Sequence, residues 1–211
     1  MAYHGVDHDL FHRPDEQQLR QVSDRLGLHG KHYIAYLGTL EPRKNVPSLI
    51  TGWAAAVTDM EEPPALVLAG GTGWSEEVDA AIAAVPARLR LVRPGYLRFR
   101  DLPGYLGGAL VVAFPSIGEG FGLPVLEAMA CGAPVLTTHR TSLPEVGGDA
   151  VAYTEPDVDS IRSGLRALLD DPARRAALAE LEQARAREFT WAASAEAHMA
   201  SYQRAAAQQA G

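Results

Sequence analysis

The chain has 211 residues, a formal net charge of −7, 47% hydrophobic residues and 21% charged residues. These are the values of an ordinary globular protein with room for one substantial domain, and they exclude disorder over most of the length. The acidic balance weighs against a general nucleic-acid or anionic-membrane binder, and the single cysteine, Cys131, excludes an internal disulfide framework.

Residues 1–14 carry no regular pattern and read as a linker. A leading helix is predicted over Asp15–Leu26, ending near Gly27. Short apolar runs then alternate with helical patterns. The predicted strands are Tyr33–Leu37, Ala65–Ala69, Leu89–Val92, Leu110–Phe114, Val135–Thr138 and Ala150–Tyr153. The helices between them are predicted over Val46–Val57, Ser75–Ala84, Asp101–Gly107 and Leu123–Cys131. Three trailing helices follow, over Asp157–Leu169, Pro172–Arg187 and Trp191–Ala207, with Asp157, Asp171 and Thr190 as caps. The alternation predicts an α/β fold, a doubly wound parallel sheet with helices on both faces, Rossmann-like. The domain reading is a linker over 1–14, an α/β domain over 15–189 and a terminal helix over 190–211. No run of 18 apolar residues and no leader pattern at Met1 is read, so no transmembrane segment is expected. One cysteine suits a reducing compartment. A cytoplasmic location is expected, with peripheral contact at the inner membrane face left open.

An open parallel sheet binds ligands beyond the carboxyl ends of its strands. The informative loops are therefore those after Leu37, Ala69, Val92 and Phe114. The first holds Arg43 and Lys44 just before a helix N-terminus, where a bidentate guanidinium, a point charge and helix amides suit a diphosphate. A solvated surface pair is the alternative, and the position at a strand's carboxyl end favours the ligand. The second loop, Gly70-Gly-Thr-Gly-Trp-Ser75, lacks the third glycine of a dinucleotide fingerprint, and Glu76 and Glu77 would repel phosphate. It is expected to shape the cleft wall, with Ser75 as a helix cap. In the third loop Tyr96 is a candidate neighbour for a nucleotide base, or an ordinary exposed tyrosine.

The fourth loop reads Gly118-Glu-Gly-Phe-Gly-Leu-Pro-Val-Leu-Glu127 and places two carboxylates eight residues apart across a glycine-rich turn that opens a helix. Pro124 suits the first helical turn. The helix is apolar all round apart from Glu127, so that carboxylate demands a polar partner. Glu119 and Glu127 fit three roles: a glycosidase acid–base pair, metal ligands, or acceptors for sugar hydroxyls. No Asp or His joins them at metal-ligand spacing, and the neighbouring Arg43 and Lys44 make a cation redundant for neutralising phosphate. The hydroxyl-acceptor reading therefore fits best, and no metal or other cofactor is expected. The seven histidines form no metal or triad pattern. Cys131 belongs to the apolar helix, which argues against a nucleophile.

On these residues the chain resembles the C-terminal, donor-binding half of a family 4 retaining glycosyltransferase with the GT-B fold. The resemblance spans nearly the whole chain and is strongest from Glu119 to Glu127. Arg43-Lys44-Asn45, Ser142-Leu-Pro-Glu-Val146, Phe189-Thr-Trp191 and the His4-Gly-Val-Asp7 segment are similar to further family segments. The resemblance implies that Glu127 binds the donor ribose and that Arg43 and Lys44 bind the diphosphate with the amide of Leu123. It implies that Glu119 and the amides of Gly120, Phe121 and Gly122 hold the transferred sugar. It places the base near Tyr96 and Leu97. The implied activity is transfer of a hexose, such as mannose or glucose, from a nucleotide diphosphate sugar to an acceptor hydroxyl, in bacterial glycan synthesis. The configuration is kept and no metal is needed. The implied partners are the nucleotide diphosphate sugar and an acceptor glycan, lipid or small molecule, the latter held by an N-terminal domain that this chain lacks. The isolated domain is therefore expected to transfer little or no sugar. The rivals are a non-catalytic sugar-nucleotide-binding module and a related GT-B enzyme, an epimerase or a phosphorylase.

Overall fold

The structure is a computed structural model that describes residues 2–73 and 76–209. Helix α1 (Glu16–Arg25) opens on a complete capping box: Asp15 accepts the Gln18 amide at 2.8 Å, and the Gln18 side chain accepts the Asp15 amide at 2.9 Å. Then come β1 (Tyr33–Leu37), α2 (Val46–Val57), β2 (Ala65–Ala69), α3 (Glu76–Ala83), β3 (Leu91–Gly95), α4 (Leu102–Gly107) and β4 (Val111–Phe114). The chain continues through α5 (Leu123–Ala130), β5 (Val135–Thr138), α6 (Leu143–Gly147), β6 (Ala152–Thr154), α7 (Val158–Leu169), α8 (Pro172–Ala186) and α9 (Trp191–Gln209).

All neighbouring strands pair in parallel, in the order β3-β2-β1-β4-β5-β6. Right-handed crossovers explain the two layers. From β1 outward to β3 the connecting helices fall on one face, where α2 packs against α3 and α7. From β4 outward to β6 the direction reverses. There α1, α4, α5, α6 and α8 form a second linked layer, α5 touching α4, α6 and α8. The doubly wound expectation holds. Its consequence is a switch point between β1 and β4, where the loops leaving two adjacent strands diverge.

Several predicted boundaries move. The third strand lies two residues later than the apolar run Leu89–Val92. Leu89 instead closes a turn onto Pro86 O at 2.9 Å, and the strand runs on through Pro94 to Gly95. A proline fits there because β3 is the edge of the sheet. The fourth strand starts at Val111 rather than Leu110. The last strand starts at Ala152 rather than Ala150, whose amide closes the turn after α6 onto Gly147 O at 3.0 Å. The predicted helix start at Asp101 belongs to a 3₁₀ turn over Phe99–Asp101, and α6 is a helix that the sequence reading did not anticipate. The caps at Asp157, Asp171 and Thr190 are present, accepting the amides of Ser160, Arg174 and Ala193 at 2.9, 2.8 and 3.1 Å. Ser75 lies outside the described residues. Residues 2–14 form no helix or strand, yet Val6 and Phe11 are buried, and the Val6 amide donates to Phe189 O at 3.1 Å.

The core is built on Tyr36, Trp53, Tyr105 and Phe114, all fully buried. Their polar atoms are met. The Trp53 ring N–H donates to Pro64 O at 3.0 Å, and the Tyr105 hydroxyl lies 2.7 Å from Tyr36 O. Glu182 of α8 is also fully buried, accepting the Val135 amide at 2.8 Å at the start of β5. Burial raises its carboxyl well above the usual range, and the Val135 amide partly offsets this.

At the carboxyl edge the loops after β1 and β2 touch. Gly38 N donates to Ala69 O at 2.9 Å, and Leu40 N donates to Gly71 O at 3.0 Å. Gly70 sits at φ +131°, and a side-chain carbon there would fall 2.2 Å from Gly38 O. Only glycine fits. Gly70→Ala is accordingly expected to lower stability by about 3 kcal/mol, read as a drop in the urea midpoint at unchanged slope.

Candidate functional site

The switch point brings the first and fourth informative loops together. After β1, a 3₁₀ turn over Pro42–Lys44 ends at Asn45, whose left-handed backbone (φ 57°) starts α2. The Asn45 amide group donates to Pro156 O at 2.6 Å and Pro115 O at 3.3 Å, which fixes the turn against the end of β4. The Ile117 amide donates to Arg43 O at 2.9 Å. A main-chain bond between the two loops thus sets the register of everything that follows.

Across that seam Glu119 meets both predicted cations. Lys44 Nζ lies 2.7 Å from Glu119 Oε1, and Arg43 donates to Glu119 Oε2 at 2.9 Å. Ser116, 1% exposed, has its hydroxyl 2.6 Å from Glu119 Oε1. Lys44 is buried, its ammonium 4.7 Å from the centre of the Phe114 ring. Arg43 is exposed and also pairs with Glu41 at 2.9 Å. Two positive and two negative groups therefore cancel. Burial pushes the Glu119 carboxyl up, but Lys44, Ser116 and Arg43 outweigh it and hold the group below the usual carboxylate range.

The backbone of Glu119 is bracketed from the far side. Its amide donates to the Thr141 hydroxyl at 3.0 Å, and the Ser142 hydroxyl donates to its carbonyl at 3.1 Å. Thr138 donates to Ser116 O. Thr141 is a β-branched residue at φ 48°, an uncommon conformation at a site residue. Sequence reasoning did not single out Glu41, Ser116, Thr138 or Thr141. Ser142 it noted only within a segment of family resemblance. A hydroxyl in a loop carries no signal until its partner is located.

Beyond Glu119 the turn runs through Gly120 and Phe121 to Gly122, the N-cap of α5 at φ 106° with no side-chain cap. Among the described residues, no acceptor meets the amides of Gly120, Phe121, Gly122 and Leu123. These donors lie at a positive helix end. The Phe121 ring turns away from them. It packs on His4 at 5.0 Å and on Tyr3 and Phe189 at 6.2 Å.

Glu127 lies one turn into α5, mostly buried, and makes no side-chain hydrogen bond among the described residues. Among the described residues no side chain supplies the polar partner its sequence context demands. Burial alone raises its carboxyl to about 7. One turn on, Cys131 is fully buried, and burial, with Glu127 adding, keeps its thiol protonated.

Tyr96 leaves the end of β3 fully exposed, its hydroxyl close over Gly71. Leu97 is half-buried against the core. Neither lines the recess of about 330 Å³ at this edge, which is formed by Leu40, Leu68, Gly70, Thr72, Arg93 and Gly95. That recess sits under the loops of β2 and β3, about 10 Å across the sheet from the switch point at two strand spacings. The structure thus joins Arg43, Lys44 and Glu119 directly, places Gly120–Leu123 beside them in the chain, and puts Tyr96 at the far edge of the sheet. Among the described residues, no group of three or more His, Cys, Asp and Glu side chains forms a metal-binding set. No described helix is long and apolar enough to cross a membrane.

The model of the family "Glycosyl transferases group 1" matches residues 20–185. The chain belongs to that family. The O-antigen chain mannosyltransferase B of Escherichia coli is 40% identical to it over 173 residues, 81% of this chain and 45% of that protein. The D-inositol 3-phosphate glycosyltransferase of Mycobacterium avium (strain 104) is 32% identical over 216 residues, 97% of this chain and 49% of that protein. The group 1 domain thus spans about half the length of these curated relatives. Its fold matches that of Anabaena HepE, solved with UDP and glucose, at TM-score 0.82 and 20% identity, over 95% of this chain and 55% of the other. The architecture is that of the C-terminal half of a GT-B glycosyltransferase.

The raised Glu127 carboxyl makes a stability prediction. Its folded pKa, about 7, exceeds the unfolded value near 4.3, so its contribution is fully present below about pH 4 and is lost as pH rises through 7. Glu127→Gln removes that loss. Relative to the unsubstituted chain, the variant should gain roughly 3 kcal/mol in unfolding free energy between pH 4 and pH 8. Urea titrations at the two pH values measure it.

Proposed function

We propose that this domain binds the donor in a retaining hexosyl transfer, from a nucleotide diphosphate sugar to an acceptor hydroxyl held by another part of a longer protein. The observation that carries the reading is the meeting of Arg43, Lys44 and Glu119 at the β1/β4 switch point, next to an uncapped glycine-rich helix start. The diphosphate lies over that helix start and takes Arg43 as a bidentate partner and Lys44 as a point charge. Glu127, unpartnered among the described residues, accepts the two ribose hydroxyls. The base lies near Tyr96 and Leu97, on the side of the sheet where Gly70 and Arg93 line a recess. Glu119 and the free amides from Gly120 to Gly122 hold the hexose. Supporting the reading, one relative at 40% identity is a mannosyltransferase, and a protein of the same fold holds UDP and glucose.

Cleavage leaves negative charge on the diphosphate while the anomeric carbon becomes cationic. Fixed cations and amides aimed at the departing oxygen favour that state over the ground state. The acceptor oxygen bonds to the anomeric carbon on the face from which the diphosphate departs, and a diphosphate oxygen takes the acceptor's proton. Configuration is kept. Arg43 and Lys44, once drawn from Glu119, face the diphosphate directly, and the reading invokes no metal. The acceptor is a glycan, lipid or small molecule, and a lipid-linked acceptor would bring the longer protein to the inner membrane face from the cytoplasmic side.

Thermal-shift titration with UDP, GDP and ADP, and with their sugars, tests the donor site. A ligand at 100 times its Kd should add about 2.7 kcal/mol to stability, and no shift with any of them would overturn the reading. Arg43→Ala and Lys44→Ala should each weaken the diphosphate that binds by about tenfold or more with the fold intact. Glu127→Gln should weaken it as well, and unchanged affinity by calorimetry would remove Glu127 from the ribose site.

A further inference from the structure

The two cations that would bind a diphosphate are already engaged. In the free protein Lys44 and Arg43 both bond to Glu119, whose side chain is 7% exposed. A diphosphate that draws both cations away leaves a nearly buried carboxylate behind, and a buried charge without a donor is costly. Ser116 supplies the only remaining side-chain donor to that carboxylate among the described residues. Its hydroxyl has one proton. Glu119 Oε1 at 2.6 Å is its shortest acceptor and an ionised one, against Arg43 O at 2.9 Å and Gly118 O at 3.2 Å, so the proton goes to Glu119. Ser116 is held by its own surroundings, 1% exposed, with Thr138 donating to its carbonyl.

Resting on the donor-site reading above, we propose that Ser116 is a positioning residue of this site. Its hydroxyl holds the Glu119 carboxylate in place while Arg43 and Lys44 turn to the diphosphate. The exchange then has a fixed centre. The cations change partner, and the carboxylate keeps its rotamer and its charge for the sugar. Ser116, 1% exposed and already 2.6 Å from Glu119 Oε1, is shielded from an incoming anion by its burial, whereas Arg43 is exposed. The charged and titratable groups around Glu119 are Arg43, Lys44 and Glu41 from the loop after β1, and Tyr36 from β1 itself. The loop after β5 contributes the hydroxyls of Thr141 and Ser142.

The test follows the Glu119 carboxyl by ¹³C NMR through a pH titration, with Glu119→Gln assigning the signal, in the unsubstituted chain, Ser116→Ala and Ser116→Cys. Calorimetry in two buffers of different ionisation heat gives the protons taken up when UDP, GDP or ADP binds. Both Ser116 variants should raise the Glu119 titration midpoint and increase proton uptake on binding, and they should weaken the diphosphate that binds about tenfold. In a Glu119→Gln background the Ser116 effect should vanish. A folded Ser116→Ala with an unmoved Glu119 titration and unmoved proton uptake overturns the proposal. If the unsubstituted chain binds none of the three diphosphates, the donor reading fails instead, and the titration of the free protein still decides whether Ser116 holds Glu119.

Discussion

One carboxylate joins the two halves of the sheet's functional edge. Glu119, carried on the loop after β4, is bonded to both cations of the loop after β1, and the loop after β5 fixes its backbone. This is possible because β1 and β4 are neighbours although β2 and β3 separate them in sequence. The same arrangement brings the local charge close to zero before any ligand arrives. On the proposed reading a polyanion would enter by exchanging partners with Glu119, and that exchange would favour a ligand able to engage both cations at once over one that offers a single charge.

The two glutamates of the glycine-rich turn show how environment divides identical side chains. Glu119 is surrounded by donors and is held ionised. Glu127, eight residues on, is surrounded by apolar helix and is raised to about 7 by burial alone. Two carboxyl groups pushed in opposite directions mark a functional site more firmly than either would alone. The unpaired one is the destabilising one above its raised pKa.

Phe121 connects this edge to the chain's outer segments. Its backbone belongs to the glycine-rich turn, while its ring packs on Tyr3, His4 and Phe189, and His4 in turn meets the Trp191 ring at 6.0 Å. Gly5 lies so close to the Thr190–Trp191 backbone that a side-chain carbon there would fall 2.3 Å from Trp191 N. The opening segment and the start of α9 are thus clamped across each other beside the turn that carries Glu119. The exposed side chains of Met199 and Tyr202 lie further along α9, beyond this clamp.

The sequence by itself determined the alternation of strands and helices, the caps at Asp157, Asp171 and Thr190, and that Arg43, Lys44, Glu119 and Glu127 stand in loops and a helix at the sheet's carboxyl edge. Local propensity and short-range hydrogen bonds decide those, and they act within a few residues of chain. Even the misplaced strands follow from that limit: Leu89 and Ala150 are apolar and buried, but in turns, and only the sheet's edge at β3 admits Pro94. Tertiary structure alone decided that Arg43 and Lys44 would lie on Glu119, 76 and 75 residues away in the chain, that Ser116 would hold the same oxygen, and that Glu127 would stay alone. Strand order is set by long-range packing and crossover handedness, which leave no mark on local sequence, so which loops meet, and which charges cancel, is fixed only when the sheet closes up.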